Sequence, residues 1–186
     1  FGRSKIVVSF TGGQLSSDGG LLLLKQVDER LGLTARLAGC IRDQRDPSLI
    51  THSVLDLLRQ RVFGIACGYE DCNDADYLRI DPALRLALGK DHCLGASQSM
   101  LSRLANDVRG NKAGLRALDT ALTRSIDTLL GRKNKKRLII NLDSTEDPAH
   151  GKQEGVAYNG HFAKNGFHTL FSFTSEGDCL GARLRP

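Results

Sequence analysis

Tryptophan is absent from this 186-residue chain, methionine occurs once, and aromatic residues make up 5% of it. Any core it builds is therefore aliphatic. No apolar run is long enough to span a bilayer and no leader pattern is present, so we expect a cytosolic protein with no membrane partner. The five cysteines, Cys40, Cys67, Cys72, Cys93 and Cys179, are odd in number and contain no C-x-x-C. That argues against a disulfide framework and a structural zinc site, and points to buried free thiols in a reducing compartment. There is no G-x-S-x-G nucleophile elbow and no phosphate-cradling G-x-x-x-x-G-K. Neither an internal repeat nor a low-complexity tract is found.

What is present is a globular composition, 40% apolar and 25% charged. A net charge of +5 and a pI near 9.1 favour a polyanionic partner such as nucleic acid. The charge is uneven: Arg124, Arg132, Lys133, Lys135, Lys136 and Arg137 gather in one stretch. A solvated linker is the commoner fate of such a run. The chain starts at Phe1 and stops at Pro186 while strand-like patterning continues, so we expect a piece of a longer protein.

The first 131 residues read as a helical bundle. A strand at 5–10 opens the chain, and Ser16, Ser17 and Asp18 offer cap oxygens to a helix over 19–31, ended by Gly32. Its inward face is read as Leu24, Val27 and Leu31. A helix over 51–67 carries the stripe Val54, Leu58, Val62 and Ile65. Asp81-Pro82 is an N-cap followed by a first-turn proline. Ser97 caps a helix beginning at Gln98, and a last helix spans 112–130 with Leu118, Leu122, Ile126 and Leu129 inward. Ser97, Gln98 and Arg103 place small polar and cationic groups in one helix's first turns. This suits phosphate or DNA, although ordinary capping explains each residue singly.

After Gly131 the pattern changes. Leu138 to Leu142 is a short, β-branched run read as a buried strand that ends on Asp143; Asp147-Pro148 then stops regular structure. A carboxylate fixed at a strand end can hold a divalent cation through oxygen. On this stretch alone a simple loop cap is preferred. Phe167 to Phe173, a turn at Glu176-Gly177-Asp178, and Cys179 to Leu184 form a hairpin. A carboxylate-bearing strand followed by antiparallel strands is how a ribonuclease-H-like core begins. The fold class is therefore α+β: an N-terminal helical bundle followed by the first antiparallel strands of such a core, incomplete at Pro186.

The run from Ile140 through Asp143, Thr145, Asp147, His150 and Gly151 to Gly155, with Tyr158 and Gly160, resembles the start of the catalytic domain in insertion-sequence transposases of the DDE group-1 type. Leu21 to Leu24, Arg45-Asp46-Pro47, Ala96 to Arg103 and Leu180 to Pro186 are similar to other parts of that family. The resemblance covers nearly the whole chain and is most specific from Asp143 to Gly155. It implies a DNA-cutting and joining enzyme with three acids and Mg²⁺, of which Asp143 is the first acid and a metal ligand. The second aspartate and the glutamate would fall after Pro186. It also implies DNA binding or dimerisation by residues 1–131, with Ser97, Gln98, Arg103, Arg132, Lys133, Lys135, Lys136 and Arg137 as DNA contacts, and a catalytic domain starting at 132.

Around Asp143, Thr145 is read as a loop orienter, Glu146 as exposed and Asp147 as a turn former. His150, His161 and His168 fit no zinc template. Two other functions compete. A non-catalytic DNA-binding module explains the helices and charge. A haloacid-dehalogenase-like phosphatase also starts with a strand ending in Asp, but it wants an aspartate where Thr145 stands. If the chain ends at Pro186, it should bind Mg²⁺ weakly at best and should not cut DNA; a Mg²⁺-dependent strand-cleavage assay checks this.

Overall fold

The computed structural model describes residues 13, 15–131, 137–149, 151 and 153–185, without the side chains of 109 and 129. The strand expected at 5–10 lies outside the described residues. The chain divides into two compact units, Phe1–Ala121 and Leu122–Pro186.

The first unit is helical: α1 (Leu21–Leu31), α2 (Leu33–Ala38), α3 (Val54–Ala66), α4 (Ala75–Leu78), α5 (Pro82–Ala87) and α6 (Gln98–Gly110). The long α7 (Lys112–Gly131) begins in it and continues into the second unit. Gly32 ends α1 as expected. Its φ of 64° is the left-handed conformation that glycine adopts without penalty, and its N–H donates to Asp28 O at 2.7 Å. Asp81 accepts from Leu84 N at 2.8 Å, with Pro82 in the first turn of α5.

Two expected caps differ. Ser16 to Asp18 give α1 no side-chain cap, and only the Asp18 carbonyl accepts from Leu21 N. At α6, Ser97 makes no cap bond; Asp76 accepts from Gln98 N at 3.0 Å instead. A carboxylate brought in from α4 is a stronger acceptor for a helix N-terminus than the local hydroxyl.

The buried stripe of α3 is also rotated from the expected one. Leu57, Gln60, Phe63 and Gly64 face inward, whereas Ile65 is 48% exposed. Apolar residues lie almost all round this helix, so spacing alone could not choose a face. The bulk of Phe63 and the amide of Gln60 decide it. Val27 of α1 is likewise exposed, and Leu21 and Asp28 are buried.

Phe63 packs with Leu21, Leu78, Leu84, Ala87 and Leu88 in one aliphatic cluster; Leu57, Ala75, Ala96 and Leu101 form another. Gln60 joins α3 to the segment before α6. Its Nε2 donates to Ala96 O at 2.8 Å and its Oε1 accepts from Ala96 N at 2.7 Å. Both backbone groups of Ala96 are thereby satisfied inside the core. Asp28 is buried but fully engaged. It accepts from Thr34 N (2.9 Å), from Thr34 Oγ1 (2.5 Å) and from Arg59 Nε (3.1 Å), tying the α1–α2 corner to α3.

The second unit is a four-stranded antiparallel sheet: β1 (Ile140–Pro148), β2 (Ala157–Asn159), β3 (Lys164–Thr174) and β4 (Cys179–Arg183). β3 is central. β1 pairs along one side of it, and β2 and β4 share the other. The β3–β4 hairpin stands where the sequence placed it. Thr174 closes it, its Oγ1 accepting from Glu176 N (3.3 Å) and Asp178 N (3.1 Å).

β1 departs from its reading in three ways. It begins at Ile140, it passes through Asp143 to Pro148 without ending, and it is exposed: Ile140 at 53% and Leu142 at 68%. Among the described residues only β3 pairs with it, so β1 is an edge. Pro148 is tolerated as the last residue of the strand, where no second neighbour among the described residues needs its missing N–H.

Two stability measurements follow. Replacing Gln60 by Leu orphans the Ala96 N–H and C=O, at about 1–3 kcal/mol each, which urea unfolding would read as a lowered midpoint. His52 is buried, and burial, followed by the charge of Lys90, lowers its pKa from 6.5; Asp56 opposes this and Arg79 and Arg45 add to it. The unfolded chain therefore takes up a proton below about pH 6.5 that folded His52 resists. Stability present above that pH should fall on acidification, and His52→Gln should remove this part of the pH dependence in thermal melts.

Candidate active-site strand

Side chains on a strand alternate between faces. Asp143 therefore shares a face with Asn141, Thr145 and Asp147, and across the ladder with Phe167, Thr169, Phe171 and Phe173. It stands opposite Phe171, in mid-strand, fully flanked by paired residues. Its carboxylate is exposed and accepts from Ser144 N at 2.8 Å. Phe171 and Phe173 stack with centroids 5.8 Å apart, giving this side of β3 an apolar surface beside the carboxylate.

The opposite face holds a polar group that the sequence did not announce. Arg185 donates from Nη2 to Ser144 Oγ at 3.0 Å and from Nε to His168 O at 3.3 Å, while His168 N donates to Arg185 O at 2.7 Å. Ser144 Oγ also lies 3.5 Å from His168 Nδ1. Phe162 stacks on the His168 ring at 5.2 Å. Alternation from Asp143 could have placed Ser144 and Glu146 on this face. The register that brings His168 and Arg185 to them could not be read from one strand.

The neighbouring readings are corrected in part. Asp147 is not in a turn; it lies in β1 opposite Phe167. Glu146 is half-buried, 3.2 Å from Lys164 Nζ. Thr145 belongs to the strand, opposite Thr169. His161 is exposed, whereas His168 is half-buried in β3. His150 lies outside the described residues.

The proposed DNA contacts are scattered. Ser97 and Gln98 are half-buried at the start of α6, where Ser97 Oγ lies 3.1 Å from Ser99 Oγ and Gln98 Nε2 donates to Ser102 Oγ at 3.2 Å. Arg103 is exposed further along α6, and Arg137 is exposed just before β1. Arg132, Lys133, Lys135 and Lys136 lie outside the described residues.

The described residues thus give helices followed by an antiparallel sheet that carries a solvent-facing aspartate. The family described as Transposase DDE domain group 1 matches residues 1–186, and the chain belongs to it. Comparison with curated proteins and with solved structures finds no match in either. Membership makes the sheet part of a ribonuclease-H-like core and DNA the substrate class. No helix among the described residues is long and apolar enough to cross a membrane.

DDE domains generally use divalent metal ions. Asp143 has the right chemistry for one, a hard and exposed oxygen donor. Among the described residues, however, no three or more His, Cys, Asp or Glu side chains gather as a ligand group. These residues do not by themselves make a metal site.

The ladder, more than Asp143 itself, carries the stability of this unit. A Cβ on Gly166 would lie 2.6 Å from Asp147 O and 3.2 Å from Pro148 Cα. Gly166→Ala should therefore cost about 1–3 kcal/mol by forcing β1 off β3. Asp143→Asn should stay within about 0.5 kcal/mol, since among the described residues its carboxylate bonds only its neighbour's amide. Thermal unfolding of the two variants compares them directly.

Proposed function

We propose that Asp143 is the first acid of the catalytic triad in a transposase that cuts and joins DNA at insertion-sequence ends by two-metal phosphoryl transfer, with Mg²⁺ as the ion. The observation that carries this is a carboxylate held rigid in mid-strand yet open to solvent. Nine paired positions with β3 fix the strand, so the carboxylate needs little reorganisation to meet a ligand. Ser144 N–H holds one of its oxygens, and the other has no hydrogen-bond partner among the described residues.

The helical residues 1–131 supply DNA binding and pairing of two copies in this reading, and residues from 132 onward belong to the catalytic domain. Exposed cations support the DNA role: Arg103 on α6 and Arg137 before β1. The basic stretch 132–136 adds to it by charge alone. Phosphate contacts of this kind release counterions, so affinity should fall steeply with salt.

One observation favours a second reading. Asp143 belongs to no group of three or more His, Cys, Asp or Glu side chains among the described residues, which suits a DNA-binding module without chemistry of its own. Strand cleavage separates the two. In the transposase that carries this chain, Asp143→Asn should reduce Mg²⁺-dependent cutting roughly 10³-fold, the loss of several kcal/mol of metal-supplied stabilisation, and leave salt-dependent DNA binding unchanged. Undiminished cutting by the variant would remove Asp143 from the triad.

A further inference from the structure

The helical unit contains a groove of about 850 Å³ between the loop at 40–45, the start of α3, α6 and the first turns of α7. Its less exposed lining is aliphatic: Leu57, Leu104 and Leu118, with Met100. Its exposed lining carries the cations Arg42, Arg103 and Lys112, with Arg45 beside them, among polar side chains. Two carboxylates, Asp43 and Asp107, also line it. Asp43 is already engaged, receiving Arg45 Nε at 2.8 Å and Nη2 at 2.7 Å. The Arg45 hydrogen bond in turn holds the Asp43 carboxyl below its usual range, against the opposing effect of burial. The side chains of Arg42, Arg103 and Lys112 make no hydrogen bond or ion pair with another described residue.

We propose that this groove is a docking site for an acidic amphipathic segment of a partner polypeptide. An apolar floor gains free energy by covering aliphatic side chains, and three unengaged cations select carboxylates at the rim. Nucleic acid matches only half of this. A phosphodiester backbone would use the cations and leave the floor uncovered, and no aromatic residue lines the groove to stack a base. The volume falls in the range of pockets that enclose a ligand, which admits a row of side chains and not a duplex. Arg103 is also one of the candidate DNA contacts, so a docked segment and DNA would compete for it. The docking itself does not rest on the DNA reading.

The experiment measures fluorescence anisotropy of a labelled synthetic helix with leucine on one face and glutamate on the other, titrated with the full chain. Two control peptides replace all leucines by serine or all glutamates by glutamine. Saturable binding of the parent peptide is expected, with each control roughly tenfold weaker or worse. Reversing Arg42 and Arg103 together to Glu should abolish binding; both side chains are exposed and unpaired, and circular dichroism verifies the fold. Equal binding of the leucine-free peptide would overturn the proposal in favour of a polyanion site of the nucleic-acid kind. Equal binding of the glutamine peptide, unaltered binding by the charge-reversed variant, or no saturable binding at all would overturn it outright.

Discussion

The antiparallel ladder between β1 and β3 is the constraint on which the sheet-bearing unit of this chain depends. From Ile140 opposite Thr174 to Pro148 opposite Gly166, it converts a flexible stretch of backbone into a fixed rod. An isolated carboxylate on a loop would spend conformational entropy each time it met a ligand. Asp143 has that cost met in folding, because its neighbours on both sides are paired. The tight passage of Gly166 against Asp147 and Pro148 keeps the two strands in contact to the end of the ladder.

Rigidity and exposure usually oppose one another, since side chains are immobilised by being packed. β1 reconciles them by taking its order from the backbone and not from side-chain burial. Arg185 and His168 brace Ser144 from the reverse face, so the residue next to Asp143 is held by side chains on the face opposite its carboxylate. The face that carries the carboxylate and the face that braces it are thus separated by the pleat itself.

Much of this was legible in the chain. Asp81-Pro82, Gly32 and the β3–β4 turn announced themselves through backbone rules that act over two or three residues. The family resemblance rested on the run around Asp143, and the family match over residues 1–186 agrees with it. What the sequence hid was long-range. Gln60 lies off the stripe expected for its helix, and Ala96, 36 residues away, supplies both partners for its amide. Asp76 displaced Ser97 as the cap of α6 from 22 residues upstream. The apolar run from Leu138 to Leu142 looked buried because composition reports what a segment prefers, not which neighbours cover it. The candidate site divides the same way: Asp143 could be found from its strand, but the groove rim joins Arg42, Arg103 and Lys112 from three elements.

The capping of α6 by Asp76 also bears on what that helix can attract. A helix start draws phosphates because its free amides carry partial positive charge. In α6 one of those amides is already spoken for, and by a full negative charge. The first turn thereby attracts anions less than an uncapped helix start, and the exposed guanidinium of Arg103, more than a turn farther along, is the positive charge that α6 still offers among its described side chains.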